Sequence, residues 1–168
     1  MSIAVENVLK EELEQARQLI INHIRANGQN ASGRTIASLH IEVNGDEGTL
    51  FGRNYFGVLE TGRKAGRVPY KFSSIIRQWM QDKGIHGEPI PNKTDRPHKY
   101  TPQERGDLSL ASAIAHTIKT KGTKLHRDGG RADVYSNVIP DAVQRIRKRI
   151  IGSMQIEVDS IKLNNQTV

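Results

Sequence analysis

Leu39-His40-Ile41-Glu42-Val43-Asn44-Gly45-Asp46-Glu47-Gly48-Thr49-Leu50-Phe51-Gly52 is the stretch on which the fold turns. Leu39, Ile41 and Val43 alternate with Ser38, His40 and Glu42, the period-two pattern of a half-buried strand over 39–43. Asn44 to Gly48 is rich in residues that tolerate left-handed backbone, so the chain turns back there. A return strand over 49–53 completes an antiparallel pair.

Upstream, residues 3–26 read as one amphipathic helix. Val5, Val8, Leu9, Leu13, Ala16, Leu19, Ile20 and Ile24 recur at spacings of three and four. Ser2 is placed to cap it, Asn27-Gly28 to end it, and Glu6 with Lys10 forms a favourable i,i+4 pair. Its single apolar stripe must pack on the sheet or on a neighbouring subunit.

Downstream, Tyr55 to Glu60 reads as a short helical turn that docks aromatics into the core. Thr61 to Val68 holds Arg63, Lys64 and Arg67 with few apolar anchors, which predicts an exposed, mobile basic loop over 61–70. Phe72, Ile75, Ile76, Trp79 and Met80 give a helical stripe over 72–83, with Trp79 as a core anchor and Gly84 at the C′ position. Residues 84–103 carry Pro89, Pro91, Pro97 and Pro102, with Gly87, Asn92 and Asp95, and read as the least ordered stretch. Thr101-Pro102-Gln103-Glu104 has the form of a capping box. Gly106 weakens the helix it would open, which shifts the expected start to Asp107 and gives a helix over 107–121.

Lys119, Lys121, Lys124, Arg127 and Arg131 then mark a second basic, flexible segment over 119–133. Val134, Val138, Ala142, Val143, Ile146 and Ile150 predict a helix over 140–151, begun or kinked at Pro140, with Arg145, Arg147, Lys148 and Arg149 on its solvated face. Met154, Ile156 and Val158 alternate, which predicts a last strand over 154–163 and a polar tail over 164–168. Together these elements make an α+β fold: a small antiparallel sheet packed by a long N-terminal helix and several shorter helices, in one domain over 1–163.

The bulk chemistry removes several classes of function. Cysteine is absent, so disulfides, thiol catalysis and Cys-based metal sites are excluded. No run of about 18 apolar residues exists to span a membrane, and Met1 to Glu6 lacks the form of a signal peptide. Lys and Arg number 25 against 18 Asp and Glu, formal charge +7, which favours a polyanionic or acidic partner. The histidines His23, His40, His86, His98, His116 and His126 show no zinc-helix spacing. His126-Arg127-Asp128 matches three letters of a kinase loop without the Asn that must follow, and Gly129-Gly130-Arg131 is a turn rather than a phosphate loop. Glu60 has no second carboxylate in its flanks. No catalytic, metal or cofactor-binding residue is therefore expected, and the chain reads as a non-enzyme.

Two flanking segments add a resemblance. Ala31-Ser32-Gly33-Arg34-Thr35-Ile36-Ala37-Ser38-Leu39 leads into the hairpin, and Asn54-Tyr55-Phe56-Gly57-Val58-Leu59-Glu60-Thr61-Gly62-Arg63-Lys64 leaves it. Pro69-Tyr70 and Ile75-Ile76-Arg77-Gln78-Trp79-Met80 follow. This order resembles a family of tailed-phage proteins, the tail-completion or neck components at the head–tail junction of long-tailed phages, over roughly residues 30–122. Phe56 departs from the small residue usual after Tyr55, and the proline-rich insert at 84–103 is longer than usual.

The resemblance implies a structural virion protein made in the bacterial host cytoplasm. It would form a cyclic homo-oligomer, a hexamer or a related ring, that joins the tail to the portal-connector complex. Its partners would be itself, the portal or connector and tail-tube proteins, with genomic DNA in the channel. A tail terminator at the end of the tube is the close alternative. A ring needs heterologous contacts, one surface meeting a different one on the next copy. Glu60, Arg63, Lys64, Arg67 and Tyr70, and the segment 84–103, are the expected contacts. Lys119, Lys121, Lys124, Arg127 and Arg131 would face DNA or a partner. A small nucleic-acid-binding protein is the reading of a different class: the charge and the two basic loops favour it, and an aromatic content of 5% limits base stacking.

Overall fold

The computed structural model describes residues 3–92 and 99–164. The expected Ser2 cap, the residues Asp95, Pro97 and His98, and the tail residues 165–168 lie outside them. The elements run α1 (Ile3–Ala26), α2 (Arg34–Ala37), β1 (His40–Asn44), β2 (Glu47–Phe51), α3 (Val58–Thr61), α4 (Phe72–Lys83), α5 (Pro102–Lys121), α6 (Lys124–Arg127) and α7 (Val138–Asn164). The class is α+β, with a long N-terminal helix and a two-stranded antiparallel sheet. The described residues gather into two compact units. The first holds α1, residues 35–56 and the chain from Ala132; the second holds residues 30–34 and 57–131.

In the first unit Ile41 pairs with Leu50, Val43 with Gly48 and Asn44 with Glu47. Only Gly45 and Asp46 remain for the turn, so β2 begins at Glu47, two residues before the expected return strand. A two-residue loop matches the twist of paired strands, and Gly45 supplies its left-handed φ of 65°. The hairpin lies against α1 at close range: a Cβ on Gly48 would come within 2.6 Å of Leu13 Cδ1. Leu9, Ala16, Ile20 and Ile24 of the α1 stripe are buried, with Ile20 and Ile24 at 1% exposure or less. Phe56 packs its ring on Tyr135 at 5.5 Å. Tyr55, expected in the core, is instead exposed beside the Arg53 guanidinium.

α7 runs antiparallel to α1 and buries Val138 and Ala142. It starts at Val138, so Pro140 falls in the first turn, where its missing N–H leaves no gap. The same face carries Arg145 and Arg149, four residues apart. Arg145 Nε donates to Glu12 Oε2 at 2.8 Å and Arg149 Nη1 to Glu12 Oε1 at 3.0 Å. Arg149 Nη2 reaches Glu11 at 2.6 Å. Half of the predicted solvated cluster is thus a clasp on α1, because a carboxylate only 3% exposed needs charged partners. Arg147 and Lys148 stay exposed.

The strand expected over 154–163 is absent: α7 continues to Asn164. Extending a helix requires no new nucleus, and three alternating apolar residues do not outweigh that saving. Ser153 Oγ donates to the Ile150 carbonyl at 2.9 Å and Gln155 to Asp159 at 3.0 Å, both contacts of helical spacing. Met154, Ile156 and Val158 are exposed, so no buried face demanded an alternating pattern.

In the second unit α4 packs on α5. Ile76 and Met80 meet Ala111 and Ala115, flanked by Phe72, Leu110, Ile114 and Ile118. The two alanines, one turn apart, admit Met80 to 1% exposure. Gly84 ends α4 at φ 65°, donating to the Met80 and Gln81 carbonyls. The capping box forms in full, with Thr101 Oγ1 accepting from the Glu104 amide and Glu104 Oε2 from the Thr101 amide at 2.9 Å. α5 therefore starts at Pro102 and runs through Gly106.

Gly106 has a different role from the expected weak point. A Cβ there would lie 2.1 Å from the Glu88 carbonyl oxygen, and one on Gly87 would lie 2.2 Å from the Gly106 oxygen. The backbone of 84–92 crosses α5 where neither chain has a side chain. Asp107, 9% exposed, accepts the Gly87 amide at 2.8 Å and Gln103 Nε2 at 3.0 Å, and His86 Nδ1 lies 3.5 Å away. The Gly87 amide, then Gln103, holds its carboxyl below the usual range against the pull of burial. Ile90 donates to the Pro102 carbonyl at 2.9 Å, and Arg105 donates to the Ile90 carbonyl. The first part of the proline-rich stretch is thus bound to α5 by hydrogen bonds rather than by apolar side chains.

Two expectations follow for stability, each read from urea or thermal unfolding of the full chain. Gly106→Ala should cost about 3 kcal/mol, the upper range for overpacking, whereas Gly152→Ala, with open space around it, should gain about 0.5–1 kcal/mol. Glu12→Ala should cost about 3 kcal/mol at neutral pH, the low end for a buried pair, because Arg145 and Arg149 are 38% and 41% exposed. Arg145, ahead of Arg149, holds the Glu12 carboxyl below its ordinary value. A depressed folded value stabilises fully above the ordinary glutamate range and loses that effect as pH falls through the folded value. The gap between parent and Glu12→Ala should accordingly narrow in acid.

Candidate functional site

The two basic loops meet within the second unit. Arg63 donates its amide to Thr123 Oγ1 at 2.9 Å, and Thr123 returns its own amide to the Arg63 carbonyl at 2.9 Å. Gly66 donates to the Lys119 carbonyl at 2.9 Å and Arg131 to the Glu60 carbonyl at 2.9 Å. His126 Nδ1 lies 3.2 Å from the Thr61 carbonyl oxygen. Thr123 also caps α6 through the His126 amide.

Glycine makes this approach feasible. Gly62 follows α3 at φ 66°, and a Cβ there would lie 2.4 Å from the His126 nitrogen. Gly122 follows α5 at φ 79°, and a Cβ there would lie 2.7 Å from the Arg63 carbonyl oxygen. The loops expected at 61–70 and 119–133 are therefore joined by backbone, and part of the second is the helical turn α6. Counting apolar anchors missed this, because the anchors are amides and carbonyls.

The expected contact residues divide by environment. Glu60 is buried, and its carbonyl ties α3 to Arg131. Arg63 is half-buried: its guanidinium donates to the Arg67 carbonyl at 2.6 Å and stacks 5.6 Å above Phe72. Lys64, Arg67, Lys119 and Lys121 are exposed. Lys124 and Arg127 project from α6, with Lys124 pairing to Asp128 at 2.7 Å. Tyr70 is 87% exposed, next to Lys71, which holds a left-handed φ of 55° ahead of α4.

An open apolar groove of about 740 Å³ adjoins α6. Ile76, Trp79, Ile114, Ile118 and Leu125 line it, with Lys124 and Arg127 among its wall residues. Trp79, expected as a core anchor, is 39% exposed on this groove, and Ile75 is 50% exposed. The signal was present in the sequence. Phe72, Ile75, Ile76, Trp79 and Met80 span about 140° of the helix at 100° per residue, wider than the alanine-rich face of α5 covers.

Among the described residues no group of three His, Asp or Glu is placed to hold a metal ion. No helix among them is long and apolar enough to cross a membrane. Compared with known protein families, curated proteins and solved structures, the chain matches none.

Thr123→Ala removes both the cap of α6 and the acceptor for Arg63. Loss of a cap of this kind costs about 1 kcal/mol. Hydrogen exchange should show the Arg63, Gly66 and His126 amides losing protection while the α4 and α5 amides keep theirs. Unchanged protection at Arg63 would mean that the loop is held by something else.

Proposed function

We propose that this chain is a structural component of a tailed-phage virion, acting by assembly rather than catalysis. It works at the head–tail junction as a neck or tail-completion protein, in a ring of identical copies that joins the tail to the portal-connector. The resemblance over roughly residues 30–122 supplies the family. The observation that carries the reading is the open apolar groove rimmed by Lys124 and Arg127, in the same unit as the loop bearing Arg63, Lys64 and Arg67. An uncovered apolar surface with a charged rim has the anatomy of a protein interface. Gly62, Gly122 and Thr123 tie the loop bearing Arg63 to residues 122–126, and a loop so tied has a lower ordering cost on binding.

Light scattering on the full chain, alone and with portal-connector and tail-tube proteins, tests this. A discrete cyclic mass, alone or with those partners, is the expected result. Lys64→Ala combined with Arg67→Ala should change stability by less than about 0.5 kcal/mol, as exposed substitutions do, and should weaken assembly. A strict monomer that ignores the virion proteins but binds DNA, with affinity falling steeply as salt rises, would replace this reading with a nucleic-acid binder.

A further inference from the structure

The outer half of α7 carries an apolar stripe that the first unit leaves uncovered. Ile151 is 67% exposed, Met154 54% and Val158 46%. Their spacing is i, i+3, i+7, and at 100° per residue they fall within about 60° of one another. Glu157 and Asp159 flank that stripe, one on either side. The stretch 151–160 contains these two acids and no Lys or Arg, whereas 144–149 contains four bases, Arg145, Arg147, Lys148 and Arg149. The helix is thus basic where it clasps α1 and acidic where it extends as an apolar-faced rod.

The groove of the second unit has the complementary character. Its floor is aliphatic and aromatic, and Lys124 and Arg127 stand at its wall. The Lys124 side chain is 84% exposed, and its partner Asp128 lies four residues along the same turn. Such an exposed pair contributes little, so Lys124 can exchange it for an incoming acid at small cost. An amphipathic helix laying i, i+3, i+7 anchors into an apolar groove is a recurrent mode of recognition.

We propose that residues 151–160 of α7 from one copy dock in the groove of a second copy, with Ile151, Met154 and Val158 against Trp79, Ile118 and Leu125. Asp159 then faces Lys124 and Arg127, with Glu157 on the opposite side of the stripe. The contact joins two different surfaces, so it repeats from copy to copy and closes a ring or propagates a filament. This deepens the assembly reading above, rests on it, and names the segment that makes the contact.

The absence of cysteine makes a direct test clean. Leu125→Cys and Val158→Cys are introduced into separate full-length preparations, which are mixed and mildly oxidised. Disulfides form only where Cα atoms come within roughly 7 Å. The mixed dimer should dominate over either homodimer. Its yield should fall about tenfold when Lys124→Glu and Arg127→Glu are added to the first chain, because like charges are then juxtaposed. Asp159→Lys in the second chain should restore it. Should Leu125→Cys melt early, Trp79→Cys probes the same groove.

Light scattering on the same samples separates the two claims. Self-assembly without the mixed disulfide overturns the α7 contact alone. A strict monomer with no disulfide, which stays monomeric when portal-connector and tail-tube proteins are added, overturns both. A mixed disulfide indifferent to the charge reversals reflects collision of exposed thiols and overturns the contact.

Discussion

Close approach of backbone to backbone, at points where a Cβ cannot fit, is the constraint on which the second unit depends. Gly87 crosses Gly106, Gly62 abuts His126 and Gly122 abuts the Arg63 carbonyl; in the first unit Gly48 makes room for the Leu13 side chain. With 36% hydrophobic residues, the chain has limited apolar surface to hold its loops. It holds them instead by pairing amides with carbonyls at short range. Burial of such groups is tolerable because they are satisfied: Asp107 takes the Gly87 amide, and Thr123 takes that of Arg63. Elsewhere the same requirement for a partner sets the α1–α7 seam, where Glu12 sits between Arg145 and Arg149.

Holding loops by backbone has a consequence for surfaces. The apolar side chains not needed as loop anchors remain at the outside. α4 presents a stripe wider than α5 covers, so Trp79 lies on an open groove. α7 outruns its clasp on α1 and exposes Ile151, Met154 and Val158. Two uncovered apolar features of opposite charge character on one chain are the basis of the head-to-tail contact proposed above. The basic side chains divide in the same way. Arg63, Arg145 and Arg149 are bound within the fold, while Lys64, Arg67, Lys124 and Arg127 remain at the surface.

Local signals were legible wherever a short-range interaction decides the outcome. Alternation from Leu39 to Val43, with Gly45 in the turn, announced the hairpin, although the tight loop moved β2 to start at Glu47. The α1 stripe, the Gly84 exit and the Thr101–Glu104 box were readable because each depends on residues within one turn of each other. The alternation of Met154, Ile156 and Val158 misled, because the helix behind it was already nucleated. Gly106 misled too, since its cost in helix propensity is small beside the crossing it permits.

The basic residues of the two loops were legible in the sequence; their pairing through backbone and the groove lined by Trp79 and Leu125 were not. The sequence by itself determined the α+β class, the helical and hairpin periods, the basic charge and the loops that carry it. These follow from side-chain size, polarity and spacing along the chain. Only the tertiary structure decided that Arg63 meets Thr123 across 60 residues, that Glu12 gathers two arginines from α7, and that Trp79 faces a groove. Such outcomes depend on which backbones can approach and which carboxylates are left without water, and neither property is written in any single segment.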